Sequence, residues 1–175
     1  MKGTVLSLIC ALFVFVNVAS AQEMSKMEIF GGYSHMSHHI GLNGWIASAD
    51  YNPWEHIGFE GSLSGHYGTD HILDIPVDTT IYNFNVGPRV YAATSQEKLT
   101  AFGHLLFGFS HLSGSTLGVN ESDTSFSWVL GGGVDYGLFG PIAARGQIDL
   151  VRTNFFNNGE SDGRYSVGLV YRFSR

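Results

Sequence analysis

Imidazole and hydroxyl groups crowd one set of connections in this chain. His35, His38, His39, His66, His71 and His111 fall at strand ends or in loops on one side, and His56 lies in a turn on the other. Neutral imidazole is a good ligand for zinc, copper or nickel, so the first six are the metal-ligating candidates. Ser37 follows His35 by two and Ser113 follows His111 by two, with Glu121 or Asp123 as conceivable orienting acids. In an extended chain each pair shares a face, as a nucleophile and its base must. These residue types are also ordinary in polar loops, and on the sequence alone no catalytic residue, bound metal or cofactor is assigned.

A second constellation is ionic. Glu28, Glu60, Arg89, His104, Asp135, Arg145, Asp149 and Arg172 recur on the polar face of alternating segments, with Asp50 and Gln147 beside them. Charges removed from water must be paired or they cost several kcal/mol each. The simplest expectation is therefore a structural network inside the molecule, with Glu60 level with Arg89 on adjacent segments and Glu28 facing Arg172. A proton or ion pathway is the alternative.

Positioning those charges requires strands. From Arg164 to Phe173 the chain sets Tyr165, Val167, Leu169, Tyr171 and Phe173 against Arg164, Ser166, Gly168, Val170 and Arg172. A period of two with one wholly apolar face is a β-strand signal. Eight such segments are expected, at about 26–36, 44–52, 57–67, 80–92, 99–110, 125–136, 142–153 and 164–173. Each is near the roughly 9 to 11 residues of a tilted transmembrane strand. The connections alternate too. Residues 53–56, 93–98 and 137–141 are tight, whereas 68–79, 111–124 and 154–163 are long and polar and 37–43 is intermediate. An even strand number puts both termini on the side of the tight turns. The fold class expected is an all-β, eight-stranded antiparallel up-and-down transmembrane barrel, closed so that its last strand leaves no free edge.

Composition narrows the class further. Residues 1–21 carry Lys2, an apolar run from Val5 to Val18 and the small residues Ala19, Ser20 and Ala21, a secretory signal with cleavage before Gln22. The lone cysteine, Cys10, lies within it. Residues 22–175 form one domain with 8 Lys and Arg against 15 Asp and Glu, a net charge of −7. Such a balance excludes nucleic acid as a partner, since no basic patch meets the phosphates. Lysine is nearly absent after the signal, with only Lys26 and Lys98 left, although soluble barrels normally cover their outer face with it.

Alternation does not itself say which face meets solvent, and a soluble lipocalin-like carrier would show the same period. Three features favour lipid outside. The polar face is built of Gly, Ser and Asn with isolated charges, which suits a crowded interior. Aromatics gather in two belts, Tyr51, Trp54, Phe59, Tyr136, Phe139, Tyr171 and Phe173 at one level, and Tyr33, Trp45, Tyr67, Tyr82, Phe126, Trp128 and Tyr165 at the other. A closed barrel also leaves no backbone group unpaired in hydrocarbon.

The opening Glu28, Ile29, Phe30, Gly31, Gly32, Tyr33, Ser34, then Asn83 with Gly87, Pro88 and Arg89, and the closing Gly168 to Phe173 resemble the small eight-stranded outer-membrane barrels of the OmpA and OmpX type, the outer membrane β-barrel domain proteins of Gram-negative bacteria. The resemblance implies residence in the cell outer membrane with periplasmic termini. It also implies contact with outer-membrane lipid, and insertion by an assembly machinery that reads a terminal aromatic strand, here ending at Phe173 with Ser174 and Arg175 beyond it. The function expected is a monomeric structural or surface-interaction barrel with a side-chain-filled, non-porin interior and loops for an extracellular ligand. The alternatives are a loop-borne metal or host-ligand binder, a lipid A hydrolase and a soluble carrier.

Overall fold

A computed structural model describes the backbone of residues 25–37, 41–72, 75–93, 98–116, 119–153 and 159–173, and the side chains of these apart from 70–72, 75–77, 93, 115–116 and 119–121. The signal, His38, His39, the His71 side chain and residues 154–158 therefore lie outside the described residues.

Eight strands run in chain order: β1 Met27–Ser37, β2 Gly41–Tyr51, β3 Ile57–Ile72, β4 Ile75–Ala93, β5 Leu99–Thr116, β6 Val119–Phe139, β7 Ile142–Thr153 and β8 Glu160–Phe173. Each pairs antiparallel with its neighbours and β8 returns to β1, from Met27↔Phe173 to Ser37↔Gly163, so the barrel is closed. Following hydrogen-bonded partners around it from Glu28, through Asp50, Glu60 and on to Asp162, leads back to β1 just past Ser37, about ten residues farther along. With eight strands, that stagger tilts them by about 40° from the barrel axis.

Closure depends on bare backbone at one point. Gly32 faces Gly168 across the β1–β8 seam, and a Cβ on either would collide with main-chain atoms of the opposite strand. At the end bearing the termini, main-chain bonds tie the turns down: Asn52 N donates to Lys26 O at 2.8 Å, Gly137 N to Lys98 O at 2.7 Å and Arg172 N to Pro141 O at 2.9 Å.

The faces are inverted relative to a soluble protein. Leu63, Phe84, Phe107, Leu130, Ile148, Val167 and Leu169 point outward and are exposed, Ile148 by 63%. Glu28, Asp50, Glu60, Arg89, His104, Asp135, Arg145 and Asp149 are buried. A continuous apolar belt of this kind far exceeds the few hundred Å² that a soluble surface tolerates, which removes the lipocalin-like alternative. On β6 the outward Phe126 and Tyr136 stand ten residues apart, about 25 Å along the axis at this tilt, the height of a transmembrane barrel's apolar band.

Two expectations need correction. Residues 68–79 and 111–124 are not long loops. β3 pairs with β4 as far as Ile72↔Ile75, β5 pairs with β6 as far as Thr116↔Val119, and β4 joins β5 up to Asp78↔Ser115. Neighbouring strands stop sooner, since β2 leaves β3 at Asn43↔Tyr67 and β7 leaves β6 at Ser127↔Thr153. Four strands thus continue as one sheet, roughly 12 Å above the rest of the rim. β2 and β8 also begin earlier than expected, at Gly41 and Glu160.

Candidate functional site

The lumen has two zones. Nearest the termini lies a network of ions. Arg89 Nη1 donates to Asp50 Oδ2 at 2.8 Å and to Glu60 Oε2 at 3.3 Å, joining β4 to β2 and β3. His104 lies between carboxylates, Nδ1 2.8 Å from Glu60 Oε2 and Nε2 3.0 Å from Asp149 Oδ1. Ionised carboxylates only accept, so an imidazole bonded to both donates from both nitrogens, as the imidazolium does. Arg145 grips Asp135 with two bonds, Nε to Oδ1 at 2.7 Å and Nη2 to Oδ2 at 2.9 Å, the strong bidentate arrangement. Arg172 Nε reaches Glu28 Oε1 at 3.2 Å across the seam, and Arg164 Nε donates to Asp149 Oδ2 at 2.8 Å. Phe102 lies between guanidiniums, its ring centre 3.6 Å from Arg89 Cζ and 4.6 Å from Arg145 Cζ. Rings so placed attract cations through their quadrupole while filling space.

Arg145 also reaches Asp50 Oδ2 through Nη1 and Glu28 Oε2 through Nη2, both at 3.5 Å, so all eight sequence-predicted network residues lie in one connected cluster. These contacts add Asp50 as a hub and Arg164, which the strand boundary drawn at Arg164 had left at the rim. Four arginines and one imidazolium then face the five carboxylates of Glu28, Asp50, Glu60, Asp135 and Asp149.

Above the ions is an apolar plug that alternation did not reveal. Met36, Leu42, Ile81, Leu106, Val129 and Val151, from six strands, form one buried cluster with Leu112 against it. Met36 lies eight residues beyond Glu28 on β1, Leu42 eight before Asp50 on β2 and Ile81 eight before Arg89 on β4. All three are displaced toward the end away from the termini. A hydroxyl and amide layer adjoins the plug: Asn83 Nδ2 donates to Ser64 Oγ at 3.2 Å, Ser110 bonds Asn83, and Ser127 Oγ donates to Asn85 Oδ1 at 2.8 Å.

Among the described residues the histidines do not act together. His66, expected at the external rim among the metal candidates, is fully buried in the lumen with Nε2 2.9 Å from Ser34 Oγ, because even positions of β3 face inward. His35 Nδ1 lies 2.9 Å from Asn43 Oδ1 on the outer surface, and His111 Nδ1 lies 2.8 Å from Thr124 Oγ1. Among the described residues no three His, Cys, Asp or Glu side chains form a metal-binding group. Of the hydroxyl pairs, Ser37 Oγ bonds the Gly163 backbone rather than His35, while Ser113 Oγ approaches His111 Nε2 at 3.3 Å. The other His111 nitrogen meets a threonine and not an acid. The outer rim is bound instead through aromatics, with Trp45 Nε1 donating to Tyr67 Oη at 3.4 Å and the Tyr67 and Tyr82 hydroxyls 2.9 Å apart.

A closed eight-stranded barrel with lipid-facing aromatics and an ionic lumen defines a transmembrane β-barrel. The chain belongs to the outer membrane protein beta-barrel domain family, whose model matches residues 6–173, and its place is the outer membrane. Its fold is similar to that of Neisserial surface protein A, with a TM-score of 0.68 and 16% identity over 85% of this chain and 98% of that one. It is also similar to Ail, the attachment invasion locus protein of Yersinia pestis, with a TM-score of 0.61 and 19% identity over 86% of this chain and 99% of that one. Ail in complex with the heparin analogue sucrose octasulfate aligns with a TM-score of 0.59 and 19% identity, over 85% of this chain and 97% of that one. At such identities the likeness concerns the fold. Among curated proteins, no sequence match to the chain is found.

Proposed function

We propose that this protein is a surface-interaction barrel. The barrel is a filled anchor, and the four-stranded sheet that β3 to β6 project beyond it is the interacting part. The observation that carries this reading is the register. Pairing continues to Ile72↔Ile75 and Thr116↔Val119, well past the aromatic rim, so the sequence builds an ordered platform where connecting the strands needs only turns. The lumen beneath offers no route to match, being occupied by ion pairs and closed by the plug. In the same reading residues 1–21 are removed on export, an assembly machinery inserts the chain as a monomer, and both termini face the periplasm.

Catalysis is not part of this reading, since Ser34, beside His66, is buried in the lumen and the ring next to Ser113 meets Thr124 on its other nitrogen. Ail is seen with a polysulfated sugar. Here residues 68–79, 111–124 and 154–163 hold seven acidic side chains, Asp70, Asp74, Asp78, Glu121, Asp123, Glu160 and Asp162, and no Lys or Arg. A polyanion of that kind would be repelled, so it is not proposed as the ligand.

Epitope insertion tests the arrangement. Tags placed after Leu73 or Thr116 should be stained on intact cells and a tag after Ser95 only after permeabilisation; the opposite pattern would reverse the topology. Lipid A from expressing cells should have an unchanged mass spectrum. A deacylated species that disappears with Ser113→Ala would replace this reading with the enzymatic one.

A further inference from the structure

We propose that a groove on the lipid-facing side of β1 to β4 binds one anionic glycerophospholipid, with an acyl chain in the groove and the phosphate at Lys26 and Trp54. The groove follows from the register. On the outward face Ala49 of β2 stands opposite Gly61 of β3, and Gly61 stands opposite Val86 of β4. A methyl group and a bare Cα thus lie among larger neighbours. Tyr51 and Phe59 face each other two residues nearer the termini, and Met27 of β1 lies beside Tyr51. Between these side chains is an open, apolar depression of about 420 Å³, within the range of about 300 to 1,000 Å³ that small-molecule sites occupy.

The depth of the groove in the membrane names its occupant. Hydrocarbon is as apolar as the groove walls, so no hydrophobic force draws a chain in; the gain is van der Waals contact on several sides. That gain is small, and a lipid held there needs a polar anchor as well. One stands at the end of the groove nearest the termini. Lys26 precedes Met27, and its carbonyl accepts a bond from Asn52 N at 2.8 Å, which fixes it beside the end of β2. Its side chain is exposed and pairs with no acid among the described residues. Trp54, on the next turn, is exposed and lies against Phe59, a wall of the groove, with ring centres 6.3 Å apart. Its indole N–H can only donate, and aromatics at this level mark the depth of the headgroups. An ammonium and an N–H donor there suit a phosphate, and the groove above them suits the chain that hangs from it. A second copy, oriented alike in the membrane, would instead set Lys26 against Lys26. The proposal rests on the reading that the termini face the periplasm, the phospholipid side of an outer membrane.

Native mass spectrometry of protein released from discs of equal phosphatidylglycerol and phosphatidylcholine reads the site. Phosphatidylglycerol is expected to stay bound, as a single molecule on each barrel. Gly61→Leu fills the groove, and because its Cβ meets only Val86, at 3.8 Å, the barrel should fold while retention falls at least about fivefold. Gly146→Leu, elsewhere on the lipid face, should retain lipid as the parent does. Lys26→Gln should lower the preference for phosphatidylglycerol over phosphatidylcholine about fivefold, the worth of one lysine at an anionic lipid surface. Retention of heat-modifiable migration shows that the variants are folded. Absence of retained lipid, equal retention by Gly61→Leu and Gly146→Leu, an unchanged preference in Lys26→Gln, or displacement of the lipid by oleate at matched concentration each overturns the proposal. So does a dimer that Gly61→Leu abolishes, which would give the groove to a second copy. Failure here with tags after Leu73 and Thr116 stained on intact cells refutes the lipid site alone, whereas the reverse tag pattern refutes the orientation beneath it.

Discussion

Arg89 is buried between two carboxylates, and its removal tests the ionic lumen one residue at a time. Arg89→Met leaves Asp50 and Glu60 without their shared cation and should cost about 3 to 5 kcal/mol in urea unfolding from lipid, the usual penalty for breaking a buried ion pair. Adding Asp50→Asn and Glu60→Gln removes the excess negative charge and should restore much of that loss. Strictly additive effects would mean that the three side chains are energetically independent, contrary to their geometry. The Glu60 and Arg89 partnership was legible because alternation fixed both faces and polar turns fixed the level. The plug was not. Alternation puts Leu106 on the inward face of His104 but says nothing of what it meets there; only the closed register brings it beside Met36, Ile81 and Val129 as one cluster. Leu106→Ala should cost about 2 to 5 kcal/mol by opening a cavity in the plug, as for a buried leucine elsewhere. A change below about 1 kcal/mol would mean that the cluster is loosely packed.

At the scale of the element, the seam and the projecting sheet make separate predictions. Gly168→Val places a branched side chain against the backbone of Gly31 and Gly32. Refolding should yield less barrel, with a stability loss of roughly 1 to 3 kcal/mol or more from forced overpacking. Gly146→Val, where an added Cβ meets nothing, is the matched control and should refold as the parent does. The projecting strands should show slow amide exchange through 68–72, 78–79, 111–116 and 119–124, as paired backbone does; uniform rapid exchange there would restore the long loops that the sequence implied. Those stretches were misjudged for a physical reason. Inside the membrane one strand face meets lipid and the other the lumen, and the pattern is sharp. Beyond the rim both faces meet water, so Asn120, Glu121, Ser122 and Asp123 carry no apolar face and look like a loop although they extend a strand. The strands within the membrane, with their order and their closure, were readable because hydrocarbon punishes every departure from alternation.

For the whole molecule the decisive feature is the division of labour between a filled barrel and a sheet above it. Eight strands enclose a space just wide enough for side chains to fill. Here Arg89, Arg145, Arg164, Phe30, Met36, Leu42, Ile81 and Leu106 fill it, all of them almost wholly buried. Charge is divided along the same axis. Acidic residues without basic ones mark residues 68–79, 111–124 and 154–163, while Lys26 and Lys98 lie near the end with the termini. Family and fold were legible from the whole chain, whereas the extent of the projecting sheet needed the register. The account is tested most directly by planar-bilayer recording of the purified, refolded protein. It predicts no sustained conductance, with at most brief small openings as the ion network rearranges; a stable, open channel of nanosiemens scale would contradict the filled lumen and the external function drawn from it.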